Sequence, residues 1–276
     1  MRARQRGVAL ISVLLVMSLA LLIIGGVLRS HRLLLQSTGQ HLQQLHLRQL
    51  GMAGEILGLS LVKAQQTDSD RIPDQVPVFD VEDAQVSISI EDLAGRFNVN
   101  AVLLQGQIAP VTLKRWARLL QLLELPEWQP EQVGALRDLS QLRLLSGVEG
   151  EQLRRLEPWV ALLPADAALN INTAPELILR TLDGVDTVET AALLRQRSTA
   201  PWSSAQAFTQ DSLLSGKGLS SHGLGIESRW YRITVQVTQG QSRLRLATDV
   251  ERDPKTRQLN ILQRRVLPSN SNETAR

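Results

Sequence analysis

The chain has 276 residues, 43% of them hydrophobic, and carries a formal charge of +3 at pH 7 with no cysteine. This length allows one membrane anchor together with one or two domains large enough to bury a core. Three arginines in the first seven residues account for the whole positive excess. The remainder is therefore neutral, which argues against a large nucleic-acid footprint, and disulfides and thiolate metal sites are excluded.

The N-terminal segment predicts a membrane helix. Residues 8–28 run for 21 positions without a charge, and a helix of that length reaches about 31 Å, close to the thickness of bilayer hydrocarbon. Arg2, Arg4 and Arg6 precede this run and no acid does. We therefore expect a single-pass protein whose short N-terminus is cytoplasmic and whose remainder lies across the membrane.

Residues 29–66 contain no proline and are expected to continue the same helix. Two apolar rows predict that protein covers this part on two sides; one row is Leu42, Leu45, Met52, Ile56 and Leu59, and the other is Leu47, Leu50, Leu57 and Leu61. Gly51, Gly54 and Gly58 permit close approach of another backbone.

The remaining segments predict an alternation of sheet and helix. Residues 67–100 form a linker and a first strand, in which Val86, Ile88 and Ile90 alternate with serines. Residues 101–225 have helical spacing and contain two units that read as helix, glycine turn and helix, with Gly147 and Gly184 in the turns. Residues 226–267 predict three antiparallel strands, and residues 268–276 a disordered tail.

The leader resembles that of a type IV prepilin, since a short basic peptide ends at Gly7 and a long apolar run begins at Val8. The resemblance implies cleavage after Gly7 by a prepilin peptidase and methylation of the new amino group of Val8. Most pilins and pseudopilins carry glutamate at the fifth mature position, which here is Ser12. Protein K of the type II secretion system regularly lacks this glutamate. An ordinary signal anchor is the alternative interpretation of the leader.

Two internal segments extend the resemblance to the protein K family over nearly the whole chain. They are residues 92–100, DLAGRFNVN, and residues 169–175, LNINTAP. The fold implied is α+β: a pilin-like fold, in which a long N-terminal transmembrane helix lies on an antiparallel sheet, with a large inserted all-α domain at 101–225 that contains helix-hairpin-helix-like units.

The function implied by the resemblance is that of a minor pseudopilin at the tip of the periplasmic pseudopilus. Its expected partners are the minor pseudopilins I and J, the major pseudopilin, the prepilin peptidase and the inner-membrane secretion platform. It would nucleate pseudopilus assembly and support export of folded proteins across the outer membrane. The location implied is the bacterial inner membrane, with the C-terminal domain in the periplasm.

The sequence predicts neither an enzyme nor a cofactor. His31, His41, His46 and His222 show no metal-ligand or catalytic-triad spacing, so no catalytic, cofactor-binding or metal residue is expected. Calcium, which some members of the family bind, is suggested by the resemblance alone and is assigned to no residue.

The two glycine turns raise the alternative of a membrane-tethered DNA-binding protein. DNA-binding hairpins usually have glycine, an apolar residue and glycine in the turn, whereas here Glu149 and Asp186 stand at the third position. A carboxylate there repels a phosphate, so a structural role of both hairpins is favoured and no nucleic-acid partner is expected. A minor pilin of a type IV pilus is a further alternative.

Overall fold

The computed structural model describes residues 3–64, 76–102, 108–128, 136, 138–144 and 147–268, without the side chains of residues 3–12. The first element is helix α1, Ala3–Ala64, a continuous helix of 62 residues that is roughly 93 Å long. Every residue from Val13 to Leu42 is exposed. Within the described part, this is the one helix long and apolar enough to cross a membrane, with a mean hydropathy of 2.3 over its most apolar window.

The sheet has five strands in the order β1-β2-β7-β8-β9, and every neighbouring pair is antiparallel. Its strands are β1 (Phe79–Val81), β2 (Ala84–Asp92), β7 (Trp230–Gln239), β8 (Ser242–Arg252) and β9 (Leu259–Leu267). The strand β2 pairs with β7 along its length, with Ile88 opposite Val235. The segment between β2 and β7, residues 93–229, is called the insertion below, and the sheet together with the part of α1 that covers it is called the head.

The insertion is built mainly of short helices. They are α2 (Pro110–Leu122), α3 (Gly150–Leu156), α4 (Glu176–Leu179), α5 (Thr187–Thr199) and α6 (Ala205–Thr209), and the 3-10 helices are Leu93–Gly95, Val99–Val102, Leu139–Leu144 and Glu157–Trp159. Its hydrophobic core is separate from that of the head. Two aromatic pairs lie in it, Phe97 with Trp116 at 5.5 Å between ring centroids and Trp202 with Phe208 at 4.9 Å.

The expected all-α insertion is wrong in one respect, because it contains two short parallel strand pairs. The strand β3 (Phe97–Asn98) pairs with β4 (Val160–Ala161), and β5 (Leu169–Asn170) pairs with β6 (Leu224–Gly225). Strands of two residues are too short to show an alternation in the sequence. The first arm of each predicted hairpin is also short, a 3-10 helix in one unit and the four-residue α4 in the other.

Helix α1 lies on one face of the sheet through its glycines. A Cβ atom on Gly54 would stand 2.6 Å from Val235 Cγ1, and one on Gly58 would stand 2.5 Å from Ile233 Cγ2. The alternation of β2 and β7 places their apolar side chains on this face, where Val86, Ile88, Ile90, Ile233, Val235 and Val237 are buried together with Leu47 and Val62 of α1. The glycines therefore set how close the helix comes to the sheet.

Most of the apolar row through Leu42 does not meet the sheet of the same chain. Four of its five members are exposed: Leu42 by 62%, Leu45 by 55%, Met52 by 51% and Ile56 by 65%; the fifth, Leu59, is half-buried and packs against the core of the head. The four exposed residues are called the outer stripe below. In the other row, Leu47, Leu50 and Leu61 face the core of the head, on the side of the glycines, whereas Leu57 is exposed.

One buried acid also joins α1 to the sheet. Glu55 is 3% exposed, and its Oε1 and Oε2 atoms accept hydrogen bonds from Arg264 Nε in β9 at 2.8 and 3.0 Å. A buried carboxylate without such a partner would carry a large desolvation cost. The ion pair therefore fixes α1 against the last strand.

Substitution of Gly58 tests this packing. We expect Gly58→Val to lower the free energy of unfolding of the head by about 2–3 kcal/mol, because the added methyl groups overlap Ile233. The matched control is Gly39→Val, where an added Cβ meets nothing within 4 Å. Thermal unfolding of both full-length variants in detergent, followed by circular dichroism, measures the difference, and equal midpoints would contradict the glycine contact.

Candidate functional site

The two sequence segments that resemble the protein K family meet in the structure at Asp92, the last residue of β2. Its Oδ2 atom accepts hydrogen bonds from Asn170 Nδ2 at 3.0 Å, Thr173 Oγ1 at 2.5 Å and Ser228 Oγ at 2.6 Å. Its Oδ1 atom accepts one from the Ala94 backbone N–H at 2.9 Å. One carboxylate thus connects the sheet, the segment 169–175 and the end of the insertion; we call this set of contacts the junction.

Burial raises the pKa of the Asp92 carboxyl above its ordinary value, although the bonds from Ser228, Thr173, Ala94 and Asn170 act in the opposite direction. Asn170 and Ser228 are themselves buried. Loss of the carboxylate would therefore leave buried donors without an acceptor, which is more costly than loss of an exposed hydrogen bond.

Gly95 permits the closest approach in the junction. A Cβ atom at this position would lie 2.9 Å from Thr173 Oγ1 and 3.0 Å from the Thr173 carbonyl carbon and oxygen. Two of these neighbours are backbone atoms, which cannot move aside as the end of a flexible side chain does. The glycine of the first segment is therefore required by the threonine of the second.

The polar residues that follow Gly95 hold the stretch 157–164 of the insertion. Arg96 forms a bidentate pair with Glu91, with two N–O distances of 2.5 Å, and its Nη1 atom donates to the Glu157 carbonyl at 3.1 Å. Asn98 donates to the Pro164 carbonyl at 2.6 Å and accepts from the Leu163 N–H at 3.1 Å.

Asn100 extends the same pattern to a second part of the insertion. It donates to the Leu163 carbonyl at 3.1 Å and accepts from the Leu136 N–H at 2.9 Å. In the second segment, Asn172 plays a similar part with Trp202, since it donates to the Trp202 carbonyl at 2.9 Å and accepts from the Trp202 N–H at 3.0 Å. The side-chain amides of both segments thus satisfy backbone groups that no regular strand or helix pairs.

The residues of the predicted hairpin turns do not belong to the junction. They lie at the starts of helices, where Asp186 and Glu149 are the capping residues. Gly147 and Gly184 have φ values of +82° and +73°, which favour glycine. Asp186 Oδ1 accepts from the Val188 and Glu189 N–H groups at 2.7 and 3.2 Å at the start of α5. The Glu149 N–H donates to Gln152 Oε1 at 3.1 Å at the start of α3.

The turn at Gly184 is covered by Lys217. The Nζ atom of Lys217 donates to the Gly184 carbonyl at 2.7 Å and forms an ion pair with Glu189. A Cβ atom on Gly184 would be 2.9 Å from the Lys217 Cβ. The side chain of Lys217 therefore occupies the space beside this turn.

The leader positions lie on the backbone of α1. Gly7, Val8 and Ser12 belong to its continuous helix Ala3–Ala64, and their side-chain surroundings fall outside the described part of the chain. Two open clefts of about 630 and 600 Å³ lie at the surface of the insertion. The first is bordered by Trp230 and Glu251, and the second by Arg96 and Arg115.

A long apolar N-terminal helix on an antiparallel sheet, with a helical insertion between two paired strands, defines a pilin-like class of membrane-anchored protein. Residues 169–227 match the family described as type II secretion system (T2SS), protein K. That match begins at the second segment of the junction and ends one residue before Ser228.

Relatives match over most of the chain. Type II secretion system protein K of Pseudomonas aeruginosa is 27% identical over 304 aligned residues, which cover 91% of this chain and 90% of the relative. The protein of the same name from Klebsiella pneumoniae is 27% identical and covers 96% of this chain and 97% of its own length.

A solved structure has the same fold. One chain of the GspK-GspI-GspJ complex from the type 2 secretion system of enterotoxigenic Escherichia coli matches with a TM-score of 0.70 and 17% identity, over 84% of this chain and 99% of that chain. The resemblance to the type II secretion system protein K family is thereby confirmed.

The sequence indicated both segments of the junction but not their contact, since Asp92 and Asn170 are separated by 78 positions. The capping role of Asp186 was missed, although the spacing of Asp186 and Glu189 is that of a capping box and is readable from the sequence. The part played by Lys217 had no sequence signal, because a single lysine in a loop has no distinguishing pattern.

The raised pKa of Asp92 gives a pH dependence of defined sign. The folded state holds the Asp92 proton more tightly than the unfolded chain does. In the unfolded chain the pKa of this carboxyl is near its ordinary value of 3.8. As the pH falls from about 8 toward about 4, the stability of the wild-type chain should rise relative to that of Asp92→Asn, which has no titrating group there.

Chemical denaturation of the full-length protein at several pH values measures this difference. Asp80→Asn, at an exposed acid of β1, serves as the control for removal of a negative charge from the sheet. A wild-type advantage over Asp92→Asn that shrinks on acidification would contradict a raised pKa.

Proposed function

We propose that this chain is a minor pseudopilin at the tip of the type II secretion pseudopilus, where it nucleates assembly with other minor pseudopilins and supports export of folded periplasmic proteins across the outer membrane. Its partners would be the I and J minor pseudopilins, the major pseudopilin beneath them, the prepilin peptidase and the inner-membrane platform. The periplasm would contain the head and the insertion.

The outer stripe is the observation that carries this proposal. Leu42, Leu45, Met52 and Ile56 form one exposed apolar face of α1, on the side away from the sheet. Contiguous exposed apolar surface of this kind marks a contact with another protein. A helix of a neighbouring pseudopilin is the natural cover, because it presents the same elongated apolar shape.

The insertion supports a place at the tip. It spans residues 93–229 between two neighbouring strands, and so large a module would be difficult to repeat along a closely packed filament. The position of Ser12 supports the same place, because a subunit at the end of a filament needs no carboxylate to bind the amino group of a further subunit.

The DNA-binding alternative finds no support in the turns. The carboxylate of Asp186 caps α5, and Lys217 is held by Glu189 and the Gly184 carbonyl. Acceptance of phosphate by this turn would require both arrangements to break. The type IV pilus alternative is not favoured by the relatives, which are proteins of type II secretion.

Photo-crosslinking tests the outer stripe. Met52 is replaced by p-benzoylphenylalanine in the full-length chain, expressed in cells with the complete secretion system. Illumination should yield an adduct with another pseudopilin, identified by mass spectrometry, because the stripe would be covered in the assembly. The control carries the same photo-crosslinker at Lys255, an exposed turn residue of the head. Equal adduct yields at both positions, or adducts at Met52 with unrelated proteins alone, would reject the proposed contact.

N-terminal mass spectrometry tests the maturation step. The protein isolated from membranes of cells that contain prepilin peptidase should begin at Val8 and carry a methylated amino group. In cells without the peptidase it should begin at Met1. A first residue other than Val8 in peptidase-containing cells would contradict processing after Gly7.

A further inference from the structure

The hairpin between β1 and β2 brings two carboxylates to a histidine of α1. His46, Glu82 and Asp83 each offer one ligand atom, and these three atoms lie within 4.8 Å of one another. Glu82 and Asp83 are the two turn residues between the paired Val81 and Ala84. No spacing in the sequence joins them to His46, from which the last part of α1 and a connection separate them.

The imidazole of His46 has an unused nitrogen at this place. Its Nε2 atom is shielded from solvent and has no hydrogen-bond partner among the described residues. The nearest carboxylate oxygen, Glu82 Oε2, is 3.7 Å away, which is beyond hydrogen-bond distance. Although the His46 side chain is 31% exposed, the Nε2 atom itself is shielded, and a shielded nitrogen without a hydrogen-bond partner is uncommon in native proteins and points to an ion or water.

Glu82 has a backbone conformation that is unfavourable for a glutamate. Its φ value is +55°, in the left-handed region that glycine adopts far more readily than glutamate. Glycine at the first position of a two-residue hairpin would be the conformationally easier choice. A glutamate side chain therefore occupies a position at which the backbone conformation favours glycine, which has no side chain.

Asp83 is oriented by a group from a third element. Its Oδ1 atom accepts a hydrogen bond from Gln239 Nε2 at 2.8 Å, at the end of β7. Hydrogen bonds of this kind to a ligating carboxylate fix its direction in metal sites. His46 of α1 and the turn residues Glu82 and Asp83 thus offer three ligand atoms. The fourth position of a tetrahedral site would remain open.

We propose that His46, Glu82 and Asp83 bind a divalent transition-metal ion of the zinc class, with water as the fourth ligand. An imidazole with two carboxylates suits Zn²⁺, which accepts nitrogen and oxygen ligands in tetrahedral geometry, whereas Ca²⁺ requires more ligands and only oxygen. Tetrahedral Zn²⁺ with bonds near 2.0–2.1 Å places its ligand atoms about 3.3 Å apart. Rotation of the exposed Glu82 side chain shortens the distances that remain.

The consequence of the bound ion concerns α1. His46 directly precedes Leu47, which is the first buried residue of the helix among those whose side chains are described. An ion held there ties the helix to the β1 edge of the sheet at the point where the sheet begins to cover it. The metal therefore fixes the direction in which the exposed part of α1 leaves the head.

Metal analysis of the tag-free full-length protein in detergent tests the site. After EDTA treatment and dialysis against micromolar Zn²⁺, elemental analysis should give one zinc per wild-type chain, and Co²⁺ in its place should give the intense visible absorption of a tetrahedral site. His46→Gln should weaken Zn²⁺ binding at least about tenfold, since loss of an outer-shell partner alone costs 10- to 100-fold. The matched control is His41→Gln, an exposed histidine on the same helix, which should bind as the wild type does.

Glu82→Gly separates loss of the ligand from loss of the fold. Glycine relieves the positive φ, so the metal-free variant should unfold at the same temperature as the metal-free wild type or higher, and Zn²⁺ should no longer raise its midpoint. Absence of Zn²⁺ binding by the wild type, equal binding by His46→Gln and His41→Gln, or an unaltered Zn²⁺ response of Glu82→Gly would each overturn the proposal. Tighter binding of Ca²⁺ than of Zn²⁺ would do the same.

Discussion

The hydrogen bonds of the Asp92 carboxylate close the insertion at its base. Ser228 Oγ donates to Asp92 Oδ2 across 136 positions of sequence, and Asp92 lies opposite Tyr231 in the pairing of β2 with β7. The chain therefore leaves the sheet and returns to it at adjacent strands. Since the entropic cost of closing a loop grows only with the logarithm of its length, a sheet can accept a module of this size between two neighbouring strands once the ends are joined.

The junction also explains why particular residue types stand in the two segments. Asp92 needs donors on three sides, and Asn170, Thr173 and Ser228 supply them. Gly95 is small because Thr173 lies against it. The contacts are mutual, so a change in either segment removes partners from the other, and the head and the insertion are held in one arrangement at this point.

The elements with a regular residue pattern could be predicted from the sequence. Alternation marks β2 and β7, and the uncharged run marks the anchor. The choice between the two apolar rows of α1 was also encoded, because Gly51, Gly54 and Gly58 lie on the side of Leu47, and a helix approaches a sheet most closely along its glycines. Met52 is 51% exposed, so the predicted cover on the second side is not supplied by the described part of this chain.

The remaining contacts were not predictable because they join residues far apart in sequence. The pairing of β3 with β4 involves two residues on each side, too few for a pattern. The short strand β1 was assigned to a linker, since the segment before Asp83 is rich in proline and acidic residues. The approach of His46 to Glu82 depends on the register of that hairpin, which follows from the tertiary structure alone.

The length of α1 leaves part of the helix between the membrane and the head without contacts in the described part of the chain. If residues 8–28 span the hydrocarbon, residues 29–46 form a stretch of roughly 27 Å between the membrane and the head. This stretch is almost entirely exposed and includes Leu33, Leu34, Leu35 and Leu42. A helix of this length gains little stability from its own hydrogen bonds in water, and most helical stability in proteins comes from packing of an apolar face. Under the proposed function, the helices of neighbouring pseudopilins would supply the apolar cover of this stretch and of the outer stripe.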